Sequence, residues 1–141
     1  MTDINRQRLF WLSVLALFTA SMSASLRAAI ASSLKAQWID PVAPISAGEM
    51  IGAALGSAFL GFSITVFVVS AVLDRIGIRR VLIGCGIAFL VGTTLIVGAG
   101  VFAAGMAVYH LVWLGMLLSG IGWGFAEASI NPLTARLYPE D

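Results

Sequence analysis

The sequence contains very little charge. Only 11% of its 141 residues are charged, whereas 60% are hydrophobic, and the mean hydropathy is +0.99. About a quarter of the residues of a soluble domain are charged, so the composition excludes an ordinary soluble fold. The formal net charge is only +1 and no basic tail is present, so we expect no nucleic-acid partner.

Reactive and metal-ligating residues are also scarce. The single cysteine, Cys85, lies in an apolar run and has no partner for a disulfide within the chain. The single histidine, His110, and the few acidic residues show no metal-ligand spacing. There is no phosphate-binding loop, and no nucleophile is paired with a base. We therefore predict a polytopic membrane protein that is not an enzyme and uses no metal or cofactor.

The apolar runs predict four transmembrane helices, since a span needs about 20 apolar residues. The predicted spans are residues 9–34, 47–73, 81–104 and 108–136. A cleaved signal peptide is the alternative for the first, because a basic head precedes it and small residues lie near Ala24. Apolar sequence continues to Leu34, however, and this favours an uncleaved helix.

The start of the second span carries packing and capping signals. Ser46 and Glu49 fit a capping box, and Trp38, in the loop before it, is predicted to anchor at the membrane interface. Glycines recur at every fourth position: Gly48, Gly52 and Gly56. Such spacing predicts close packing of this helix against a neighbour.

The densest charge cluster between residues 50 and 130 is Ser70–Arg80. A charged residue at the centre of a span costs about 2.5–3.5 kcal/mol, so this cluster is predicted to form a short polar turn at a membrane surface. Gly77 supplies a permissive backbone for the turn. The arginines of the cluster place this turn on the cytoplasmic side of the membrane. Both termini are then also cytoplasmic, and we expect the protein in the plasma (inner) membrane.

The same cluster resembles the loop between helices 2 and 3 of major facilitator superfamily transporters, Gly-x-x-x-Asp-Arg/Lys-x-Gly-x-Arg/Lys-Arg/Lys. The matching residues are Asp74, Arg75, Gly77, Arg79 and Arg80, and Ser70 replaces the first glycine. In that family the acid lies at the seam between two six-helix halves, where it meets a second-half helix. The resemblance therefore implies a gating role for this loop.

A group of polar residues lies inside the fourth span. Glu127 is an acid well within it, and Trp123, Asn131 and Thr134 share its helical face at spacings of three or four. Pro132 cannot donate a backbone hydrogen bond and bends the helix. This pattern predicts a polar cavity wall in which Glu127 binds and releases a proton. The alternative is a structural hydrogen bond from Glu127 to another helix.

Arg27 is the charged residue of the first span, and it follows Thr19 and Ser23 at four-residue intervals. An arginine within a span usually faces a cavity or a partner. Arg27 is therefore a candidate for the substrate cavity, together with Trp123 and Asn131. Snorkelling of its side chain to the outer interface is the alternative.

The motif Gly-x-Gly-x-Gly-x-x-Glu-x-x-x-Asn-Pro, at residues 120–132, is similar to the fourth helix of the fucose permease-like sugar–proton symporters. This resemblance implies proton coupling through Glu127. Drug–proton antiporters usually have an arginine where this chain has Met116, which argues against that branch. The acid that the sugar permeases carry on helix 1 has no counterpart here.

We therefore predict an all-α membrane protein whose four transmembrane helices form the first part of a six-helix N-terminal half. The predicted function is proton-coupled secondary transport of a small polar solute, with sugars as one candidate class. Its partners would be the solute, protons, the lipid bilayer and the missing helices 5–12 of a parent transporter, of which we expect this chain to be a fragment. The alternatives are a complete four-helix transporter acting as a homodimer and a non-transporting membrane subunit.

Overall fold

A computed structural model describes residues 5–137, which form four long helices and no strand. The helices are α1 (Arg6–Leu34), α2 (Ala47–Ile76), α3 (Ile78–Phe102) and α4 (Met106–Leu137). A short π-helical segment, Lys35–Ile39, extends α1. Each long helix has the length and apolar composition needed to cross a membrane. The predicted class, a multi-pass helical membrane protein, is confirmed.

Helix α4 is the centre of the bundle. It packs along α2 on one side and along α3 on the other, whereas α2 and α3 contact each other little. In the most apolar stretch of each helix, 39% of the residues of α4 are buried, compared with 11% for α1. Helix α1 is therefore the least enclosed of the four, and α4 sets the positions of the others.

Glycines let α4 approach its two neighbours closely. A Cβ atom at Gly120 would collide with the backbone of Ala58 in α2. On the other side, a Cβ at Gly115 would lie 2.7 Å from the carbonyl oxygen of Gly92 in α3, and one at Gly92 would lie 2.8 Å from that of Gly115. Small residues of this kind bring helix backbones into van der Waals contact within a membrane.

The glycine repeat at the start of α2 does not make such contacts. A Cβ added at Gly48, Gly52 or Gly56 would meet no atom within 4 Å in residues 5–137. No neighbour among residues 5–137 uses this repeat, so close packing there stays a prediction. The close contact of α2 within this bundle is further along, at Gly61, where a Cβ would lie 2.6 Å from the carbonyl oxygen of Leu117. Spacing identifies a stripe of small residues, but it does not show which stripe faces a neighbour.

The charged segment 70–80 is almost wholly helical. Helix α2 continues to Ile76 and α3 begins at Ile78, so only Gly77 lies outside a helix. Its φ of 86° is a conformation that favours glycine, as the sequence predicts. The chain reverses where the sequence predicts, but the turn is shorter than the predicted residues 74–80, because α2 and α3 both continue into the charged segment and leave only Gly77 between them.

Charged side chains gather where these helices meet. Asp74 and Arg75 belong to the last turn of α2, whereas Arg79 and Arg80 belong to the first turn of α3. Arg136, in the last turn of α4, lies at the same end, since it contacts Asp74. We call this end of the bundle, which carries these five residues, the basic end.

At the opposite end the chain is held by packing and one ion pair. The side chain of Trp38 packs against Gly100 in α3, and Lys35 lies 2.8 Å from the carboxylate of Asp40. The predicted capping box is wrong, because the Ser46 side chain makes no capping hydrogen bond. Its hydroxyl instead donates to the sulfur of Met50, at 3.5 Å.

The glycine contacts of α4 can be tested with a matched pair of substitutions. Gly120→Ala should lower the free energy of unfolding by roughly 1–3 kcal/mol, because the added methyl group overpacks the α2–α4 contact. Gly56→Ala, at an open position of α2, should have no such effect. Unfolding by sodium dodecyl sulfate in mixed micelles, followed by circular dichroism, measures both. Equal stability of the two variants would contradict the packing described here.

Candidate functional site

The structure divides the predicted site residues into three groups. Arg27 and Trp123 line one small cavity. Glu127 and Asn131 form a hydrogen bond with each other. The predicted gating residues lie at the basic end. Within residues 5–137 no ion pair joins Arg27 to Glu127, so these two charged residues are separate features.

The first group surrounds a cavity of about 70 Å³ between α1, α2 and α4, which we call the Arg27 cavity. Its lining residues are Ala24, Arg27 and Ala28 from α1, Leu55, Ala58 and Phe59 from α2, and Trp123 from α4. The guanidinium group and the indole N–H are the polar side-chain groups of this lining. All other lining side chains are apolar.

Arg27 lies inside the bundle, with only 8% of its surface exposed. Its Nη1 donates a hydrogen bond to the hydroxyl oxygen of Ser23, at 3.0 Å and one helical turn away. No carboxylate lies within 4 Å of it in the described part of the chain. One neutral hydroxyl does not compensate a full charge, and burying an arginine in a span costs about 2.5–3.5 kcal/mol.

Trp123 is held in place by two aromatic rings of α2. Its ring centroid lies 4.3 Å from that of Phe62 and 6.2 Å from that of Phe59, distances typical of favourable aromatic pairs. The indole nitrogen Nε1 is buried and has no hydrogen-bond partner among residues 5–137. An unpaired buried donor costs about 1–3 kcal/mol. Arg27 and Trp123, which both line the Arg27 cavity, therefore each have a donor that is not fully paired among the described residues.

The second group lies one turn along α4 from Trp123, about 6 Å toward the basic end. Glu127 is half-buried, and its Oε2 accepts a hydrogen bond from Nδ2 of Asn131 at 3.0 Å. This hydrogen bond stays within α4, whereas the structural alternative placed one between two helices. The remaining members of the predicted face do not join it, since the Thr134 hydroxyl donates to the carbonyl oxygen of Ile130.

The third group contains a contact that the sequence did not predict. Nη2 of Arg136 lies 2.8 Å from Oδ1 of Asp74, which joins the end of α4 to the end of α2. Both side chains are largely exposed, and an exposed pair contributes about 0.2–1 kcal/mol. Sequence reasoning placed both residues at one membrane surface, and their opposite charges were the available signal for pairing. The lateral order of the helices was needed to find it.

A wide apolar groove separates part of α1 from α3 and α4. It has a volume of about 570 Å³, and Cys85 and Phe89 of α3 and Ala126 and Ile130 of α4 line the side that faces α1. Ser23, the hydrogen-bond partner of Arg27, lies on its edge. Helix α1 thus borders two openings, the groove and the Arg27 cavity.

Comparison with known proteins identifies no relative of this chain. No family model, no curated protein and no solved structure matches this chain. Its function must be inferred from the residues and the geometry described above.

The absence of a counter-ion for Arg27 can be tested by removing the charge. Arg27→Met keeps most of the side-chain length and should raise the free energy of unfolding by about 1–3 kcal/mol, because a buried charge without a carboxylate partner is then removed. Arg8→Met, at an exposed position before the apolar stretch, is the control and should leave stability unchanged. Detergent unfolding followed by circular dichroism measures the difference. A large loss of stability in Arg27→Met would instead show that Arg27 has a structural partner.

Proposed function

We propose that this chain is part of a proton-coupled secondary transporter for a small polar solute, of the major facilitator type. The observation that carries the proposal is the placement of an unsatisfied polar cavity beside a half-buried carboxylate within apolar helices. Arg27 and Trp123 line the cavity, and Glu127 lies one turn further along α4. A membrane scaffold has no need for either feature.

The energetic argument begins with the two charged residues. Arg27 lies seven residues before the end of α1, and Glu127 lies ten residues before the end of α4. Charged side chains inside a span are expensive and mark substrate or proton pathways by default. Secondary transporters place their binding sites near the middle of the membrane, at the interface between helix repeats. Trp123 lies near the middle of α4, so the cavity is at the expected depth.

The proposed mechanism assigns a different task to each group. The unpaired donors of the Arg27 cavity bind polar groups of the solute. Glu127 takes up and releases the coupled proton, and Asn131 orients its carboxylate through the 3.0 Å hydrogen bond. At the basic end, the ion pair between Asp74 and Arg136 links α2 to α4. The gate of the transporter would close against this surface. Helices 5–12 of a parent transporter would supply the opposite wall.

The two motif resemblances support this proposal and its orientation. The segment 70–80 resembles the helix 2–3 loop of the superfamily, and residues 120–132 are similar to helix 4 of the fucose permease-like symporters. The positive-inside rule places the basic end, with both termini, in the cytoplasm. A plasma (inner) membrane location follows for a transporter of this type.

Two alternatives remain open to test. A four-helix transporter acting as a homodimer would cover the open glycine face of α2, where Gly48, Gly52 and Gly56 meet no neighbour. A non-transporting membrane subunit would also cover this face, by packing against a partner protein, but it would move no solute. Light scattering of the purified gene product, together with the reading frame of its gene, distinguishes a homodimer from a twelve-helix chain. Flux measurements distinguish either from a silent subunit.

Proton coupling should depend on Glu127. In vesicles that contain the intact gene product and an internal pH-sensitive dye, a panel of glucose, fucose, lactate and acetate is expected to include a solute that moves protons faster than in protein-free vesicles, which undissociated acids enter by diffusion. Glu127→Gln should abolish the difference from protein-free vesicles, because an amide cannot take up a proton at neutral pH. Glu49→Gln, at the start of α2, is the control. Persistence of coupled flux in Glu127→Gln would remove Glu127 from the mechanism.

The pair at the basic end should affect transport more than folding. Asp74→Asn is expected to lower solute uptake while membrane insertion stays intact, since the exposed pair adds only about 0.2–1 kcal/mol to stability. Arg136→Gln should give the same defect, and exchange of the two charges should restore part of the uptake. Wild-type uptake in Asp74→Asn, with normal protein levels in the membrane, would rule out a gating role.

A further inference from the structure

We propose that the Arg27 cavity binds a carboxylate group, so that the transported solute is a small organic anion and not a neutral sugar. This inference rests on the proposed transport function and narrows its substrate class. Three properties of the cavity support it: the type of its polar groups, its charge and its size.

The polar side chains of the cavity are all donors. A guanidinium group carries five N–H donors and no acceptor, and an indole carries one donor and no acceptor. Ser23, whose hydroxyl accepts a hydrogen bond from Arg27, is not among the residues that line the cavity. A sugar hydroxyl both donates and accepts, so this lining would leave its hydrogen unpaired. A carboxylate only accepts, and it matches the lining.

The charge of the cavity also favours a carboxylate ligand. A guanidinium remains protonated in proteins, and Arg27 is buried without a carboxylate within 4 Å in residues 5–137. A neutral ligand would leave this charge uncompensated. A carboxylate would neutralise it and can accept two parallel hydrogen bonds from the planar fork. Trp123 lines the same cavity and has a buried, unpaired indole N–H, which a small rotation of the ring would offer as a further donor.

The size of the cavity admits a small polar group. Its volume is about 70 Å³, whereas one water needs roughly 10–15 Å³ of such space, so a carboxylate group fits. The phosphate of a lipid headgroup has similar acceptor chemistry, but its two acyl chains would have to pass between α1, α2 and α4, so we assign the site to a free solute.

Equilibrium binding to the purified chain tests this assignment independently of transport. In a non-ionic detergent, with added lipid absent, sodium acetate and sodium lactate should change the tryptophan fluorescence in a saturable way. Glucose, and sodium chloride at the same ionic strength, should not. Arg27→Gln should weaken acetate binding roughly tenfold or more, since hydrogen bonds to charged groups are the strong ones.

Trp123→Phe keeps the aromatic ring and removes only the donor, so it preserves packing against Phe59 and Phe62. It should weaken acetate binding by about threefold to tenfold, measured by thermal stabilisation because the reporting indole is lost. Arg8→Gln and Trp11→Phe, at exposed positions, are matched controls that should bind as the unchanged chain does. Equal binding by all four variants would overturn the assignment.

The remaining outcomes separate this inference from the transport proposal. Binding of glucose but not of carboxylates would overturn the inference and leave proton-coupled transport intact. Arg27-dependent carboxylate binding without any proton-coupled flux would support the inference and contradict transport. Displacement of acetate by a few mole per cent of phosphatidylglycerol would assign the site to lipid phosphate and overturn the inference. Equal binding of chloride would overturn the preference for a carboxylate.

Discussion

Close contact between α4 and its two neighbours is the interaction on which the rest of the structure depends. Lipid chains are as apolar as the helix surfaces, so helices associate through van der Waals packing and not through the hydrophobic effect. Glycines make this packing possible, because Gly120 rests on the backbone of Ala58, and Gly115 and Gly92 rest on each other. Trp123 and Glu127, on the same helix, take their positions from these contacts.

The candidate site places polar groups where packing alone would not. The large apolar groove beside α1, and the limited burial of that helix, show that α1 is held less tightly than α4. Arg27 nevertheless lies on the face of α1 that turns toward α2 and α4, where its charge is expensive. A protein selected for stability alone would have an apolar side chain there. The unpaired indole of Trp123 adds a second unfavourable feature at the same point, and this coincidence is the structural reason for inferring a ligand.

The basic end and the cavity are connected through whole helices. Asp74 ends α2 and Arg136 ends α4, so their ion pair joins the same two helices that enclose the cavity with α1. A displacement of α2 relative to α4 at the basic end would be transmitted along packed, rigid elements toward Trp123 and Phe62. The pair is exposed, so it contributes little to stability.

The sequence by itself determined the helical membrane class, the four apolar helices and the glycine that reverses the chain at Gly77. It did so because backbone groups in lipid must be satisfied within helices and because a positive φ favours glycine. It also identified Arg27, Trp123, Glu127 and Asn131 as unusual residues for a span. Only the tertiary structure decided that Arg27 and Trp123 share a cavity, that Glu127 pairs within its own helix, and that Asp74 meets Arg136. These outcomes depend on which helix faces which, and the periodicity of one helix carries no information about the identity of its neighbour.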